Sequence, residues 1–180
     1  MTDASTREAR REELLSAATT AFARRGYFGT TTNEVAAEAG ISQPYVVQYF
    51  GSKEKLFLQV HDRAGRLVTD KMRDVASASA SMPSFVADYT KIVVEPQLLL
   101  VIMHAIFAAS VESIGVRARA LFVLMFQILT QEAGATPAQA HDFLGKSLLL
   151  NTVIAMDIES HLDENPWVQP LLDLIRDDAR

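Results

Sequence analysis

The chain has 180 residues, 49% of them hydrophobic, a formal net charge of −5 and no cysteine. The missing cysteine excludes a disulfide framework, a thiol nucleophile and cysteine-ligated zinc. No uninterrupted apolar run reaches the roughly eighteen residues that cross a bilayer, so the composition predicts a soluble protein of one large or two small domains. The polar, charged start from Met1 to Glu13 has no signal-peptide pattern, and the expected location is the cytoplasm. Acidity is unevenly spread: residues 1–55 hold seven basic and seven acidic side chains, residues 56–180 ten and fifteen. A neutral module on an acidic body can still bind DNA if its basic residues share one face.

Between Arg7 and Arg25 the apolar residues Leu14, Ala18, Ala21 and Phe22 recur at the spacing of an amphipathic helix, and Gly26 is a candidate to close it. Arg24 and Arg25 sit in its last turn, where cations complement the helix dipole. Arg7, Arg10 and Arg11, mixed with Glu8, Glu12 and Glu13, read equally as a solvated face or as an arm touching phosphate. Tyr27, Phe28 and Gly29 form a connector into three threonines.

The stretch Thr31 to Lys53 carries the most information. Thr31 followed by Glu34 satisfies a capping box and predicts a helix start. Gly40 supplies a turn, Ile41 pins it, Ser42 caps a second helix, and Pro44 is tolerated in the first turn because its missing amide hydrogen had no partner there. Two short helices crossing at a tight turn read as helix-turn-helix. Val35, Ala36, Ala39, Ile41 and Val46 make the expected core, leaving Gln43, Tyr45, Gln48 and Tyr49 on the outer side of the second helix, where a recognition helix meets base edges. Ser52 is the expected cap of a third helix. That puts Lys53 at its first position, where a cation opposes the helix dipole and a bound phosphate would compensate.

These residues resemble the tetracycline-repressor (TetR) family of transcription regulators. The pattern T-T-x-x-x-[VI]-A-x-x-A-G-[IV]-S, then Tyr-Phe and x-x-K-x-x-L, appears as Thr30-Thr31, Val35-Ala36, Ala39-Gly40-Ile41-Ser42, Tyr49-Phe50, Lys53 and Leu56. With the preceding helix it covers about a third of the chain. The resemblance implies phosphate contacts at Thr31, Tyr49 and Lys53, and base-side contacts at Thr32, Gln43, Pro44, Tyr45 and Gln48. Val47 departs from the pattern, since the family often has tyrosine there and a phosphate hydrogen bond is then missing.

From Leu56 to Val75 helical spacing continues in one long segment to about Ala78. Prolines then mark helix starts, and five further helices are predicted at Pro83–Val93, Pro96–Ser113, Val116–Ala133, Pro137–His161 and Pro166–Asp177. Thr136 and Gln139 form a second capping box around Pro137. The expected fold is all-α with about nine helices: a three-helix DNA-binding domain over residues 1–52 and a helical effector-binding and dimerisation domain over 53–180. The segments Leu98–Ala109 and Phe143–Ile158 are too apolar for a monomer of this size to cover, which predicts an isologous homodimer. Its interface candidates are the helices Val116–Ala133 and Pro137–His161, with Gly145, Ser147 and Ala155 permitting close approach. A two-fold dimer places recognition helices on half-sites roughly 34–36 Å apart, on a palindromic double-stranded operator.

His104, in an apolar helix, reads as a core histidine bonded to a carbonyl or as a ligand-binding group. The resemblance implies an apolar pocket for a small effector among the body helices, for which Phe85, Tyr89, Met103, His104, Phe107, Phe122 and Phe126 are the candidates; plain core packing accounts for each equally well. Asp157, Glu159, His161 and Asp163 read as a solvated helix end and not a metal site. No cofactor is expected, and no glycine-rich phosphate loop or catalytic constellation is present. The leading expectation is a DNA-binding regulator, a repressor released by a small effector. The competing classes are an all-α enzyme or ligand carrier retaining a helix-turn-helix-like packing, and an interaction module whose short helices bind protein.

Overall fold

The computed structural model describes residues 3–89 and 95–177. Among these residues all regular structure is helical: α1 (Asp3–Gly29), α2 (Thr32–Glu38), α3 (Gln43–Phe50), α4 (Lys53–Ala78), α5 (Met82–Tyr89), α6 (Pro96–Phe107), α7 (Glu112–Gln127), α8 (Pro137–Ala155) and α9 (Gln169–Asp177). The expected end of the fifth helix at Val93 falls outside the described residues.

Local chemistry sets most of the helix ends. Gly26 adopts φ 66° and ψ −175°, which breaks α1 where the sequence placed its end and leaves one further turn, Tyr27 to Gly29, at an angle to it. Thr31 and Glu34 form the capping box of α2, with both reciprocal hydrogen bonds present, and Thr136 and Gln139 do the same for α8. At the C-terminus of α2 the Ile41 amide donates to the Ala36 carbonyl and the Gly40 amide to Ala37, a Schellman closure whose left-handed residue is Gly40 at φ 64°. Ser42 precedes α3 as expected, but its side chain makes no capping hydrogen bond.

Four predicted spans are corrected. The helix expected over Pro96–Ser113 ends at Phe107, and the chain turns through Ala108 to Val111 before α7 starts at Glu112. Gly115 falls between the two predicted spans. It lies in the first turn of α7, where a Cβ would meet the Ala109 carbonyl oxygen at 2.5 Å, so glycine is what lets the turn fold back this closely. At the other end α7 passes into a π turn over Ile128–Glu132, closed by the Ala133 amide on the Ile128 carbonyl. The helix expected over Pro137–His161 ends at Ala155: Asp157 takes the left-handed conformation at φ 49° and a 3-10 turn follows over Ile158–His161. An aspartate tolerates that geometry because its short polar side chain bonds locally, here as acceptor for the Ser160 hydroxyl at 2.8 Å. Pro166 likewise opens a 3-10 turn, and α9 begins only at Gln169.

Packing gathers the chain into two units, residues 1–66 with 97–121, and residues 67–96 with 122–180. In the first, Leu14, Leu15, Ala18 and Phe22 of α1, Val35 and Ala36 of α2, Val46 and Phe50 of α3, and Leu56, Phe57 and Val60 of α4 are buried, with Val101 and Ala105 of α6 and Ile114 of α7. Phe22 and Phe57 meet edge to face at 4.9 Å. Fully burying such a side chain contributes about 1.5–3 kcal/mol, so this contact is a main tie between α1 and α4. Polar ties run alongside: Arg63 to Glu12 at 2.8 Å, Arg117 to Asp62 at 2.8 Å and the Ser113 hydroxyl to Glu54 at 2.6 Å. The stretch Glu112–Glu132 is long and apolar enough to span a bilayer. Its Arg117 and Arg119, however, are ion-paired with Asp62 and Glu112.

In the second unit Phe85 stacks on Tyr89 at 5.7 Å, and Phe143 meets both rings edge-on at 5.5 and 5.4 Å. Burial pushes the Tyr89 hydroxyl up to about 12, since the phenolate loses its hydration there. Val153 of α8, Val168 of the 3-10 turn at Pro166 and Leu172 of α9 form a smaller cluster, with Ile158, Leu162 and Leu171 packed against it.

Candidate nucleic-acid interface

The candidate interface consists of α1 to α3 and the start of α4. Arg24 and Arg25, at the end of α1, reach carboxylates of α2: Arg24 donates to Glu38 at 2.8 Å and Arg25 to Glu34. They therefore anchor α2 on α1. Glu34 also accepts from the Thr31 amide at 2.8 Å and hydroxyl at 3.0 Å, and these two bonds, followed by the Arg25 charge, hold its carboxyl below the usual range. Arg10 and Arg11 are likewise occupied, Arg10 by Glu13 and Arg11 by Glu8 and Gln59.

On α3, Val46 and Phe50 point inward one turn apart, while Pro44, Tyr45, Val47 and Gln48 are exposed and Gln43 and Tyr49 are half-buried. Tyr49 lies between Tyr45 and Phe50, with ring centroids 6.0 and 4.8 Å away, so the tyrosines brace one another across the outer face. Gln43 is anchored: its amide nitrogen donates to the Thr32 hydroxyl at 3.1 Å, joining the first residues of α2 and α3. The exposed face is uncharged, polar and aromatic, which suits base edges in a groove better than it suits a purely solvated helix. Val47, at the position where the resemblance leads one to expect tyrosine, is exposed and brings no hydroxyl.

Lys53 has an internal partner that the sequence did not suggest. Its ammonium donates to the Tyr27 carbonyl at 2.9 Å and sits 4.6 Å from the Tyr27 ring centroid. This compensates a cation at the unfavourable end of α4 and leaves two ammonium hydrogens for a phosphate. Tyr27 keeps its proton firmly, because burial and then the neighbouring Glu54 charge raise its pKa. Ser52 caps α4 through the Lys55 amide at 3.1 Å. Lys55 itself is exposed, with no carboxylate partner among the described residues, and adds a second cation in the same turn. The sequence signal for it is two lysines in the first turn of one helix. Phe28, 66% exposed beside Tyr27, is a further apolar group on this rim.

Of the eight DNA-contact candidates, the structure groups Thr32, Gln43, Pro44, Tyr45, Gln48 and Tyr49 along α3 and the facing start of α2, with Thr31 and Lys53 at neighbouring helix N-termini. The Thr31 hydroxyl donates to Glu34 and accepts the Glu34 amide, so a phosphate would have to take its hydrogen from that carboxylate.

The seven effector candidates divide. Phe85 and Tyr89 join Phe143, which sequence reasoning did not single out, in the second unit; Phe122 and Phe126 belong to the same unit, Phe122 being 52% exposed. Met103, His104 and Phe107 belong to the first unit. Met103 is buried, Phe107 is 74% exposed, and His104 donates from Nε2 to the Ala23 carbonyl at 3.1 Å. A shallow cleft among the described residues lies elsewhere, about 310 Å³ lined by Met156, Ile158, His161, Glu164, Asn165, Trp167 and Val168.

This geometry defines a helix-turn-helix module of the DNA-binding type. Residues 14–60 match the model of the bacterial regulatory proteins of the tetR family. Over 57 residues the chain is 44% identical to the transcriptional activator FasR of Mycolicibacterium smegmatis, covering 32% of this chain and 26% of that one. Over 56 residues it is 41% identical to the regulator HbdR of Aromatoleum, covering 31% and 24%. The chain thus spans about a quarter of the length of these curated relatives. Among solved structures, a TetR-family transcriptional regulator of Mesorhizobium loti is 25% identical, with a TM-score of 0.55 over 72% of this chain and 71% of that one. A regulator of Streptomyces coelicolor shares the fold at 18% identity, with a TM-score of 0.61 over 81% and 87%. Residues 14–60 are thus similar to the tetR family of bacterial regulatory proteins, and the chain shares the fold of solved regulators of that type.

Proposed function

We propose that this protein is a homodimeric, sequence-specific DNA-binding regulator of transcription, working in the cytoplasm as a repressor that a small molecule releases from its operator. The observation that carries this reading is the outer face of α3: exposed Pro44, Tyr45 and Gln48 with an anchored Gln43, flanked by the lysine-bearing start of α4. Thr31, Tyr49 and Lys53 grip the backbone of the duplex, and Gln43, Tyr45 and Gln48, with Pro44 beside them and Thr32 behind Gln43, face the bases. In functional terms residues 1–52 read DNA and residues 53–180 pair the chain and bind the effector. Leu148, Leu149 and Leu150 of α8, with Phe122 and Val123 of α7, are exposed apolar side chains that a second copy would cover, and Gly145 has open space above it. An effector then acts by favouring a conformation whose two reading heads no longer match the half-site spacing. The aromatic group of Phe85, Tyr89 and Phe143 is the part of the body best suited to an apolar or amphipathic molecule.

Gel-shift titration on the promoter region next to the protein's own gene tests the reading. Wild type is expected to bind with sequence preference. Lys53→Ala lowers affinity for all sequences and makes the salt slope about one unit shallower, whereas Gln43→Ala relaxes preference at one base pair. Absence of sequence-preferring binding at moderate salt would refute the regulator reading and favour an all-α protein that keeps the packing without the activity.

A further inference from the structure

We infer that Thr32 acts through Gln43, as the positioning residue that sets the amide of Gln43 for reading adenine, and not as a base contact of its own. This rests on the DNA-binding reading above and adds to it the chemistry of one base pair. A glutamine amide carries two N–H donors and one carbonyl acceptor. In the free protein one Gln43 N–H is taken by the Thr32 hydroxyl at 3.1 Å. One donor and one acceptor remain on the amide, the complement of the N7 acceptor and N6 donor that adenine presents in the major groove.

The anchor itself is held. Thr32 is the first residue of α2, directly after the Thr31 capping box, and Gln43 is the first residue of α3, so each end of the bond sits on a helix start whose backbone is fixed. Both residues are half-buried, which shields the bond from competing water. With the rotamer set beforehand, binding does not have to immobilise a freely turning side chain, and the wrong base meets an amide that cannot swing to accommodate it. Gln48, five residues further along α3, is exposed and makes no such bond among the described residues. It serves as the internal control.

The test uses the full chain and a promoter-region duplex that it binds, together with duplexes carrying each single base-pair change. Thr32→Val removes the hydroxyl and keeps the shape; Thr32→Ser restores the hydroxyl; both are repeated in a Gln43→Ala background, with circular dichroism confirming that each variant folds. Thr32→Val is expected to lower the preference for adenine at the pair read by Gln43 about threefold to tenfold, the range expected for one lost hydrogen bond. Other positions keep their preference, Thr32→Ser recovers it, and Thr32→Val changes nothing further once Gln43 is alanine. In the free protein the Gln43 side-chain amide protons are expected to show a hydrogen-bonded, slowly rotating signature in the nuclear magnetic resonance spectrum that Thr32→Val abolishes. Uniform weakening on every duplex, equal in both backgrounds, would make Thr32 a direct contact and overturn the inference. Undiminished preference at the Gln43 pair in Thr32→Val would overturn it as well while leaving the regulator reading intact. A wild type with no sequence preference on any duplex would overturn both.

Discussion

Replacing Gly26 by alanine is expected to damage this protein more than replacing any glycine that serves only as a turn. The backbone at Gly26, φ 66° and ψ −175°, lies in a region that side-chain-bearing residues avoid, and holding one there costs about 1–3 kcal/mol. The new Cβ would also lie 2.7 Å from His104 Nδ1, and overpacking of that kind adds about 1–3 kcal/mol. His104 cannot simply swing aside, because its Nε2 is bonded to the Ala23 carbonyl at the end of the same helix. Together the two effects predict a loss of about 2–6 kcal/mol, a large share of the stability of a typical domain. Gly40 is the control. It too has a positive φ, 64°, but a Cβ there meets nothing within 4 Å, so Gly40→Ala costs only the left-handed strain, about 1–2 kcal/mol. Urea unfolding followed by circular dichroism measures both, and Gly26→Ala is expected to lower the midpoint by roughly 1 M or more. In a His104→Ala background the collision disappears, and the cost of Gly26→Ala falls to its backbone part. Equal losses for Gly26→Ala and Gly40→Ala, unchanged by His104→Ala, would refute the account of how α6 seats against the end of α1.

Thr31→Ala removes the capping oxygen of α2 and is expected to cost about 1 kcal/mol in urea unfolding. Because Glu34 titrates below its ordinary value in the folded protein, the stability linked to it is present above the ordinary glutamate pKa and is lost as pH falls through the lowered one; Thr31→Ala shrinks that acid-side slope. Tyr89 gives the opposite sign. Its folded pKa, about 12, lies above the unfolded value, so its contribution is whole below about pH 10 and disappears as pH climbs to about 12. Tyr89→Phe should flatten the fall in melting temperature over that alkaline window, and an unchanged slope would show that Tyr89 is not protected. Leu149→Glu is expected to convert a dimer into a folded monomer in sedimentation at micromolar concentration, since Leu149 is exposed in the single chain. A wild type that already sediments as a monomer would remove α8 as the pairing surface.

What the sequence determined is what acts within a turn or two of chain. The capping boxes at Thr31 and Thr136, the break at Gly26, the turn at Gly40 and the inward face of Val35, Ala36 and Val46 were all readable from it, because a cap or a helical period involves residues three or four apart. The candidate reading face on α3 follows from the same spacing. Where local cues are weak, sequence and structure differ: the gap expected between Ser113 and Val116 lies inside α7, and Asp157 ended α8 without glycine or proline to announce it. Tertiary structure alone decided the partners. Lys53 meets Tyr27, 26 residues away, and His104 meets the carbonyl of Ala23, 81 residues away. Phe143 completes the aromatic group of Phe85 and Tyr89, and Arg24 and Arg25 find carboxylates on α2 instead of the end of their own helix. Hydrophobic periodicity states which side of a helix turns inward; it carries no information about which other helix that side will meet. For this protein that distinction falls on the helix-turn-helix itself, where Thr32 and Gln43 were each legible as polar groups and only the packing of α2 on α3 joined them.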